Sequence, residues 1–96
     1  MNYRLSDKAS SDLDKIYIEG AWQFGEKQAD RYSLELERIF DLIGTNPKLA
    51  RERTEFRKPV RVQSHKSHVI VYEIELDGVL IIRVRHAHED WMNDPA

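Results

Sequence analysis

The sequence has no cysteine, few prolines and glycines, and no long apolar run among its 96 residues. Without cysteine there are neither disulfides nor thiolate metal ligands, and nothing indicates an oxidising compartment. No stretch approaches the ~20 apolar residues of a membrane-spanning helix, and the first residues lack the apolar run of a signal peptide. We therefore predict a single cytoplasmic domain, residues 1–96, that makes no contact with a membrane.

An excess of positive charge is also missing. The 15 basic and 17 acidic residues leave a net charge of −2. Proteins that hold a nucleic-acid backbone usually carry a clear basic excess, because neutralising phosphates supplies much of their affinity. The charge balance therefore disfavours nucleic acid as the main ligand.

The first half of the chain has the pattern of a short strand followed by two helices. Residues 3–5 alternate as a strand does, and Ser6 is a suitable N-cap for a helix that stops at Gly25. A second helix begins at Glu26 and ends at residues 44–47, because the residue before a proline avoids the helical region. So short a connection between two helices predicts a helical hairpin.

The second half has the pattern of an antiparallel meander. Residues 48–57 are polar and mixed in charge, and we interpret them as a loop. Val60 and Val62 mark a strand, and two longer apolar strands follow at His68–Glu75 and Val79–His86. The predicted fold class is α+β: a strand, a helical hairpin and a three-stranded antiparallel meander, with the two helices covering the apolar face of the sheet.

The loop between the last two strands decides their register. A two-residue Asp77-Gly78 turn would mix charged and apolar side chains on one face. A three-residue loop, Leu76-Asp77-Gly78, gives one apolar face and places Gly78 at a left-handed position. The expected pairs are Ile74 with Leu80, Tyr72 with Ile82, Ile70 with Val84 and His68 with His86.

Candidate functional residues lie on the first helix and near the end of the last strand. The apolar arc of the first helix is wider than one sheet face needs, which favours docking of a partner segment there. The residues predicted for that surface are Leu13, Ile16, Tyr17 and Trp22. The residues predicted to face a target are Arg83, Arg85, His86, Asp90 and Trp91, with both arginines pointing away from the apolar face.

Each of these candidates also has a structural interpretation. Trp91 either folds back onto the core, which we favour, or stays exposed as an anchor for a partner. The two arginines either act with Lys66, His86 and His88 in RNA cleavage, as acid, base and phosphate-holding groups, or form ion pairs with Glu73 or Asp90. We favour the ion pairs. The His86-x-His88 spacing resembles a metal site, but no third ligand is fixed, so we predict neither metal nor cofactor.

Several short motifs, in order along nearly the whole chain, resemble the ParE-type toxins of the RelE/ParE superfamily. They are Tyr3-Arg4-Leu5-Ser6 with Ala9, Asp12-Leu13 and Ile16; Ala29-Asp30-Arg31-Tyr32; Asn46-Pro47; His68 to Tyr72; and Ile82-Arg83-Val84 leading through His86 to Asp90-Trp91. The resemblance implies a bacterial type II toxin that is not an enzyme, inhibits DNA gyrase by binding and is neutralised by a ParD-like antitoxin. It also implies that DNA is contacted only through the antitoxin or the gyrase complex. We predict that the antitoxin binds along the first helix and the adjoining sheet.

The alternative is the RelE-type branch, whose members cut messenger RNA on the ribosome. That branch is typically strongly basic, so the charge balance of this chain favours the ParE-type branch. A ribonuclease would use Arg83 and His86 as catalytic residues.

Overall fold

The computed structural model describes residues 2–96, and within them two helices pack on one five-stranded sheet. The elements in chain order are β1 (Tyr3–Leu5), α1 (Asp7–Phe24), α2 (Glu26–Thr45), β2 (Glu52–Arg53), β3 (Val60–His65), β4 (His68–Glu75), β5 (Gly78–His86) and a short 3₁₀ helix (Trp91–Asn93). The predicted α+β fold class and the helical hairpin are confirmed.

Ser6 and Gly25 set the two ends of α1. The Ser6 hydroxyl accepts a hydrogen bond from the backbone N–H of Ala9 at 2.9 Å, which satisfies one of the unpaired donors at the start of α1. Gly25 separates the helices with a φ of 90°, a conformation that residues with a side chain rarely adopt. The hairpin therefore follows from local chemistry at the positions that the sequence predicted.

The strand order in the sheet is β1-β5-β4-β3-β2, with β1 parallel to β5 and the other neighbours antiparallel. β1 pairs only with the first part of β5, ending with Leu5 opposite Ile81. Beyond that point α1 lies along the edge of β5, where the Asp12 carboxylate accepts a hydrogen bond from the Val84 N–H at 3.0 Å. The first helix is thus bonded directly to the edge of the sheet.

The predicted register of β4 and β5 is correct at the open end of this hairpin and wrong near its turn. His68 faces His86 and Ile70 faces Val84, as expected. A β-bulge then leaves Ile82 without a direct partner and shifts the pairing by one residue. The predicted pairs Ile74–Leu80 and Tyr72–Ile82 do not form. The observed pairs in this part are Tyr72 with Ile81, Glu73 with Leu80, Ile74 with Val79 and Glu75 with Gly78.

The turn contains two residues, Leu76 and Asp77, instead of the predicted three. Gly78 belongs to β5, and the carbonyl of Asn2 accepts a hydrogen bond from the next residue, Val79, at 2.8 Å. A side chain at position 78 would overlap the backbone of Asn2. The glycine is required by this close approach, a constraint that the hydrophobic pattern does not contain.

Each face of the sheet carries an apolar layer. The main layer lies under the helices and contains Ala9, Leu36, Phe40, Ile43, Ile70, Tyr72, Val79, Ile81 and Val84. A smaller layer on the opposite face contains Val60, Val69, Val71 and Trp91, with Phe56, Val62 and Ile82 packed against it. No helix within residues 2–96 is both long and apolar enough to span a membrane.

The interpretation of residues 48–57 as a loop is wrong for the two residues of β2. Glu52 and Arg53 pair with Arg61 and Val60 of β3. These two residues have no strand pattern of their own, and the available edge of β3 provides their hydrogen bonds. A two-residue edge strand formed in this way is not detectable from local sequence.

Candidate functional site

The second half of α1 exposes large apolar side chains. Trp22 is 87% exposed, Phe24 63% and Ile18 58%. Ile18 and Trp22 are four residues apart and therefore lie on the same face of the helix. Single exposed apolar residues are ordinary, but neighbouring ones on one helix indicate a surface that binds another molecule. Of the three, only Trp22 was among the predicted site residues.

The other residues predicted for a partner on α1 have different surroundings. Leu13 and Ile16 are partly buried and pack against the main apolar layer, so they contribute to the fold beneath the surface. The Tyr17 hydroxyl donates a hydrogen bond to Asp30 Oδ1 at 2.7 Å, which joins α1 to α2. Tyr17 keeps part of its ring accessible beside the exposed residues.

Arg83 is bound to α1. Its Nε and Nη2 donate to the two carboxylate oxygens of Asp12 at 2.7 and 2.9 Å. The hydrogen bonds with Asp12 raise the pKa of Arg83, so its guanidinium is firmly charged. The expected partners Glu73 and Asp90 are therefore wrong for this residue.

Arg85 is bound to the C-terminal tail. Its Nε donates to Glu89 Oε1 at 2.9 Å, and its Nη1 donates to the carbonyl of Asp94 at 2.7 Å. The same Glu89 oxygen accepts the backbone N–H of His86 at 2.8 Å. The hydrogen bond from Arg85 lowers the pKa of Glu89. The two arginines, which we expected to point together away from the apolar face, are thus bound to different elements, and the partners predicted for Arg85 are wrong as well.

Trp91 folds back onto the sheet, as the favoured interpretation predicted. It is 8% exposed and lies in the smaller apolar layer, with its ring centroid 6.0 Å from that of Phe56. The guanidinium of Arg53 lies 5.7 Å from the Trp91 ring centroid, a cation–π contact. Of the five residues predicted to face a target, His86 and Asp90 are exposed, Arg83 and Arg85 are partly buried, and Trp91 is buried.

A cleft of about 470 Å³ lies between the helical hairpin and the open end of β4 and β5. Its lining includes Tyr17, Gly20, Phe24, Ala29 and Tyr32 from the helices and Lys66, His68 and His86 from the sheet. The Tyr32 hydroxyl is 2.7 Å from His68 Nδ1 and 3.4 Å from the carbonyl of His65. Burial raises the pKa of Tyr32 to about 12 and, with a smaller contribution from His86, lowers the pKa of His68.

Charged groups surround the same cleft. Glu35 lies 2.7 Å from Lys66 Nζ and 3.1 Å from His65 Nε2, and these hydrogen bonds lower the pKa of Glu35. The ring centroids of His68 and His86 are 5.3 Å apart. Within residues 2–96, no group of three or more histidine, aspartate or glutamate side chains is placed to hold a metal ion.

The site prediction omitted this cleft although one signal for it was available. The expected pairing of His68 with His86 brings two histidines to one end of the sheet, and that pairing is correct. The approach of Tyr32 from α2 is a long-range contact that sequence spacing does not encode.

Comparisons with known proteins agree on the family to which this chain belongs. The family described as the ParE toxin of type II toxin–antitoxin system, parDE, matches residues 3–91. The chain therefore belongs to the ParE toxin family of type II toxin–antitoxin systems, and the resemblance seen in the sequence is confirmed.

Individual relatives agree with this assignment. Toxin ParE1 of Caulobacter vibrioides is 34% identical over 84 residues, which cover 88% of this chain and 86% of that protein. Toxin ParE1 of Mycobacterium tuberculosis is 32% identical over 89 residues, covering 92% and 91%. A solved chain of the chromosomal ParDE toxin–antitoxin system from P. aeruginosa has the same fold, with a TM-score of 0.78 at 18% identity over 92% of this chain and 97% of that chain.

Proposed function

We propose that this protein is the toxin of a ParDE-like pair, that it inhibits DNA gyrase by binding and without catalysis, and that a ParD-like antitoxin neutralises it. Membership of the ParE family and the fold shared with a chain of a ParDE system support the toxin role. The observation that carries the antitoxin contact is the exposed apolar face of α1 formed by Ile18 and Trp22, with Phe24 also exposed at the end of the helix. A protein–protein contact would remove this face from water.

The antitoxin is proposed to lay an apolar segment along α1. Trp22 is the anchor, because tryptophan is enriched among the residues that dominate binding energy. Ile18 and Tyr17 extend the contact along the helix, while Leu13 and Ile16 support it from the core side. On this proposal DNA is reached only through the antitoxin or through the gyrase complex.

Replacing Trp22 by alanine tests this docking surface. We expect the affinity for the antitoxin, taken from the adjacent reading frame and measured by calorimetry, to fall by roughly 30-fold or more, as for a typical hot spot. The matched control is Leu34→Ala, which removes an exposed apolar side chain from α2 and leaves the affinity within about threefold. Unchanged affinity in Trp22→Ala, with Leu34→Ala weaker, would place the antitoxin on the other helix.

The proposed contact with gyrase lies at the start of the C-terminal tail. His86 and Asp90 are exposed there. Arg85 orders this segment through Glu89, and Trp91 fastens it to the smaller apolar layer. The toxin would stabilise the cleaved-DNA state of the enzyme by binding it better than the resealed state, since a ligand shifts an equilibrium only by its differential affinity.

Substitution of His86 and Asp90 by alanine tests this assignment. Both side chains are exposed, so the unfolding midpoint and the antitoxin affinity are expected to stay unchanged while growth inhibition is lost. Asp77→Ala, in the exposed turn between β4 and β5, is the control and keeps full growth inhibition. Growth inhibition that survives the double substitution would contradict a gyrase contact at the tail.

Cleavage of messenger RNA, the alternative from the sequence, has less support. Its first catalytic candidate, Arg83, is bound by two hydrogen bonds to Asp12. A guanidinium committed to a carboxylate in this way is not available to stabilise charge on a phosphate.

A further inference from the structure

We infer that the cleft between the helical hairpin and the open end of β4 and β5 binds the phosphate group of a nucleotide through Lys66, His68 and His86. The phosphate contacts lie at the polar end of the cleft and do not depend on the proposed function, although Tyr17 and Phe24 of the cleft wall also belong to the proposed antitoxin surface.

The hydrogen bonds of the two histidines determine which nitrogen carries the proton. The Tyr32 hydroxyl is much closer to His68 Nδ1, at 2.7 Å, than to the carbonyl of His65, at 3.4 Å. Donation from Tyr32 to Nδ1 would leave the proton of neutral His68 on Nε2, whereas donation to the His65 carbonyl would place it on Nδ1. His86 Nδ1 accepts the backbone N–H of His88 at 3.2 Å, so neutral His86 carries its proton on Nε2. His86 offers an Nε2–H donor that this contact does not use, His68 offers one when Tyr32 donates to its Nδ1, and both rings line the cleft.

The ammonium group of Lys66 lies at the same end of the cleft, 5.8 Å from the centroid of the Tyr32 ring. Its ion pair with Glu35, at 2.7 Å, is a single contact of a side chain that is 58% exposed, and such pairs contribute little. Lys66 can therefore exchange this carboxylate for an anion, unlike Arg83, whose two hydrogen bonds to Asp12 are mostly buried. Two N–H donors and an ammonium match an anion with several acceptor oxygens, and a phosphate group is such an anion.

The backbone of Lys66 supports a role for its side chain. Lys66 and Ser67 form the two-residue turn between the paired residues His65 and His68. Lys66 has a φ of 53°, in the left-handed region where glycine and asparagine are favoured. Lysine is thus unfavourable for the turn itself. Unfavourable backbone conformations concentrate at functional sites, where the side chain has another task.

The size and walls of the cleft match a nucleotide. Its volume of about 470 Å³ falls within the ~300–1,000 Å³ typical of small-molecule sites. The rings of Tyr17, Phe24 and Tyr32 line it and offer surfaces on which a base can stack.

Two carboxylates lie in the lining, Glu19 and Glu35. Glu35 is paired with Lys66 and His65. Burial lowers the pKa of His68, and the negative charge of Glu19 opposes this shift by raising it. A bound phosphate would favour protonation of His68, which adds positive charge at the site where the anion lies.

The test is an NMR titration of the full chain at the ring signals of His68 and His86, with inorganic phosphate, adenosine 5′-monophosphate and adenosine as probes. We expect phosphate and the nucleotide to shift both signals. The nucleotide should bind about tenfold more tightly than phosphate because its base stacks on the aromatic wall. Adenosine should bind at least about tenfold more weakly than the nucleotide, because it lacks the charged group.

Lys66→Gly separates binding from folding. Glycine suits the turn, and the exposed ion pair with Glu35 contributes little, so the unfolding midpoint should stay equal or rise. The nucleotide affinity should fall about tenfold. Lys48→Ala removes an exposed cation outside the lining and is the control, with unchanged affinity.

Four results would overturn the inference. They are the absence of shifts at both histidines, equal binding of adenosine and nucleotide, retained nucleotide affinity in Lys66→Gly, and an equal loss in Lys48→Ala.

Discussion

Replacing Asp12 by alanine is expected to destabilise the protein by about 3–5 kcal/mol, the range for breaking a buried ion pair by removing one partner. Asp12 is 8% exposed and accepts hydrogen bonds from Arg83 Nε, Arg83 Nη2 and the Val84 N–H, at 2.7, 2.9 and 3.0 Å. Alanine would leave a mostly buried guanidinium without its counter-charge and an N–H at the sheet edge without its acceptor.

The magnitude can be checked from the individual bonds. A hydrogen bond to a charged group contributes about 1.5–3 kcal/mol, but the three bonds share one carboxylate and do not add independently. Partial access of water to Arg83 places the loss toward the lower end of the range. For a domain of this length, whose total stability is about 5–15 kcal/mol, the unfolding midpoint should fall by roughly 12 °C or more.

Urea unfolding of Asp12→Ala, Arg83→Ala and the double variant measures this effect. The double variant should lose less stability than the two single losses together, with a coupling energy of about 2 kcal/mol. A cost below about 1 kcal/mol for Asp12→Ala, the size of an ordinary substitution, would refute the reasoning. Arg83 would then again be a candidate for contact with the target.

Three further substitutions test other parts of the account. Trp91→Ala should lower the free energy of unfolding by about 3 kcal/mol, because it opens the smaller apolar layer. The thermal unfolding midpoint, growth inhibition and antitoxin binding should therefore all decrease together. Loss of growth inhibition alone would contradict a fold role for Trp91. Gly78→Ala should lower the free energy of unfolding, measured in urea, by about 1–3 kcal/mol, because the new methyl group overlaps the backbone of Asn2. Wild-type stability of this variant would contradict the close approach. The folded protein should lose stability as pH falls below about 6.5, since burial lowers the folded-state pKa of His68 and the unfolded chain then binds the proton more readily. His68→Gln should remove this part of the pH dependence, and an unchanged slope of unfolding free energy against pH would show that His68 does not cause it.

Local sequence signals were sufficient for the helical half of the fold. Ser6 and Gly25 act through their own backbone and side chain, and the apolar spacing between them is helical, so these boundaries were predictable. The register of β4 and β5 was predictable only in part, because the bulge at Ile82 and the approach of Asn2 to Gly78 depend on neighbouring strands.

In the candidate sites, too, some features follow from local sequence and others depend on the folded structure. Trp22 was recognisable because the first helix has more apolar surface than one sheet face requires, and the structure leaves this side chain exposed. The partners of Arg83 and Arg85 were not recognisable, since Asp12 is distant in sequence and the fold of the tail selects Glu89. The contact between Tyr32 and His68 likewise exists only after α2 has packed on the sheet.

The most direct measurement of the central claim is a supercoiling assay with purified gyrase, ATP and the free protein, scored for lost supercoiling and for accumulated linear DNA. We expect linear DNA to accumulate and the antitoxin to prevent it. Unchanged supercoiling in the presence of demonstrably folded protein would contradict the claim and direct the search to translating ribosomes.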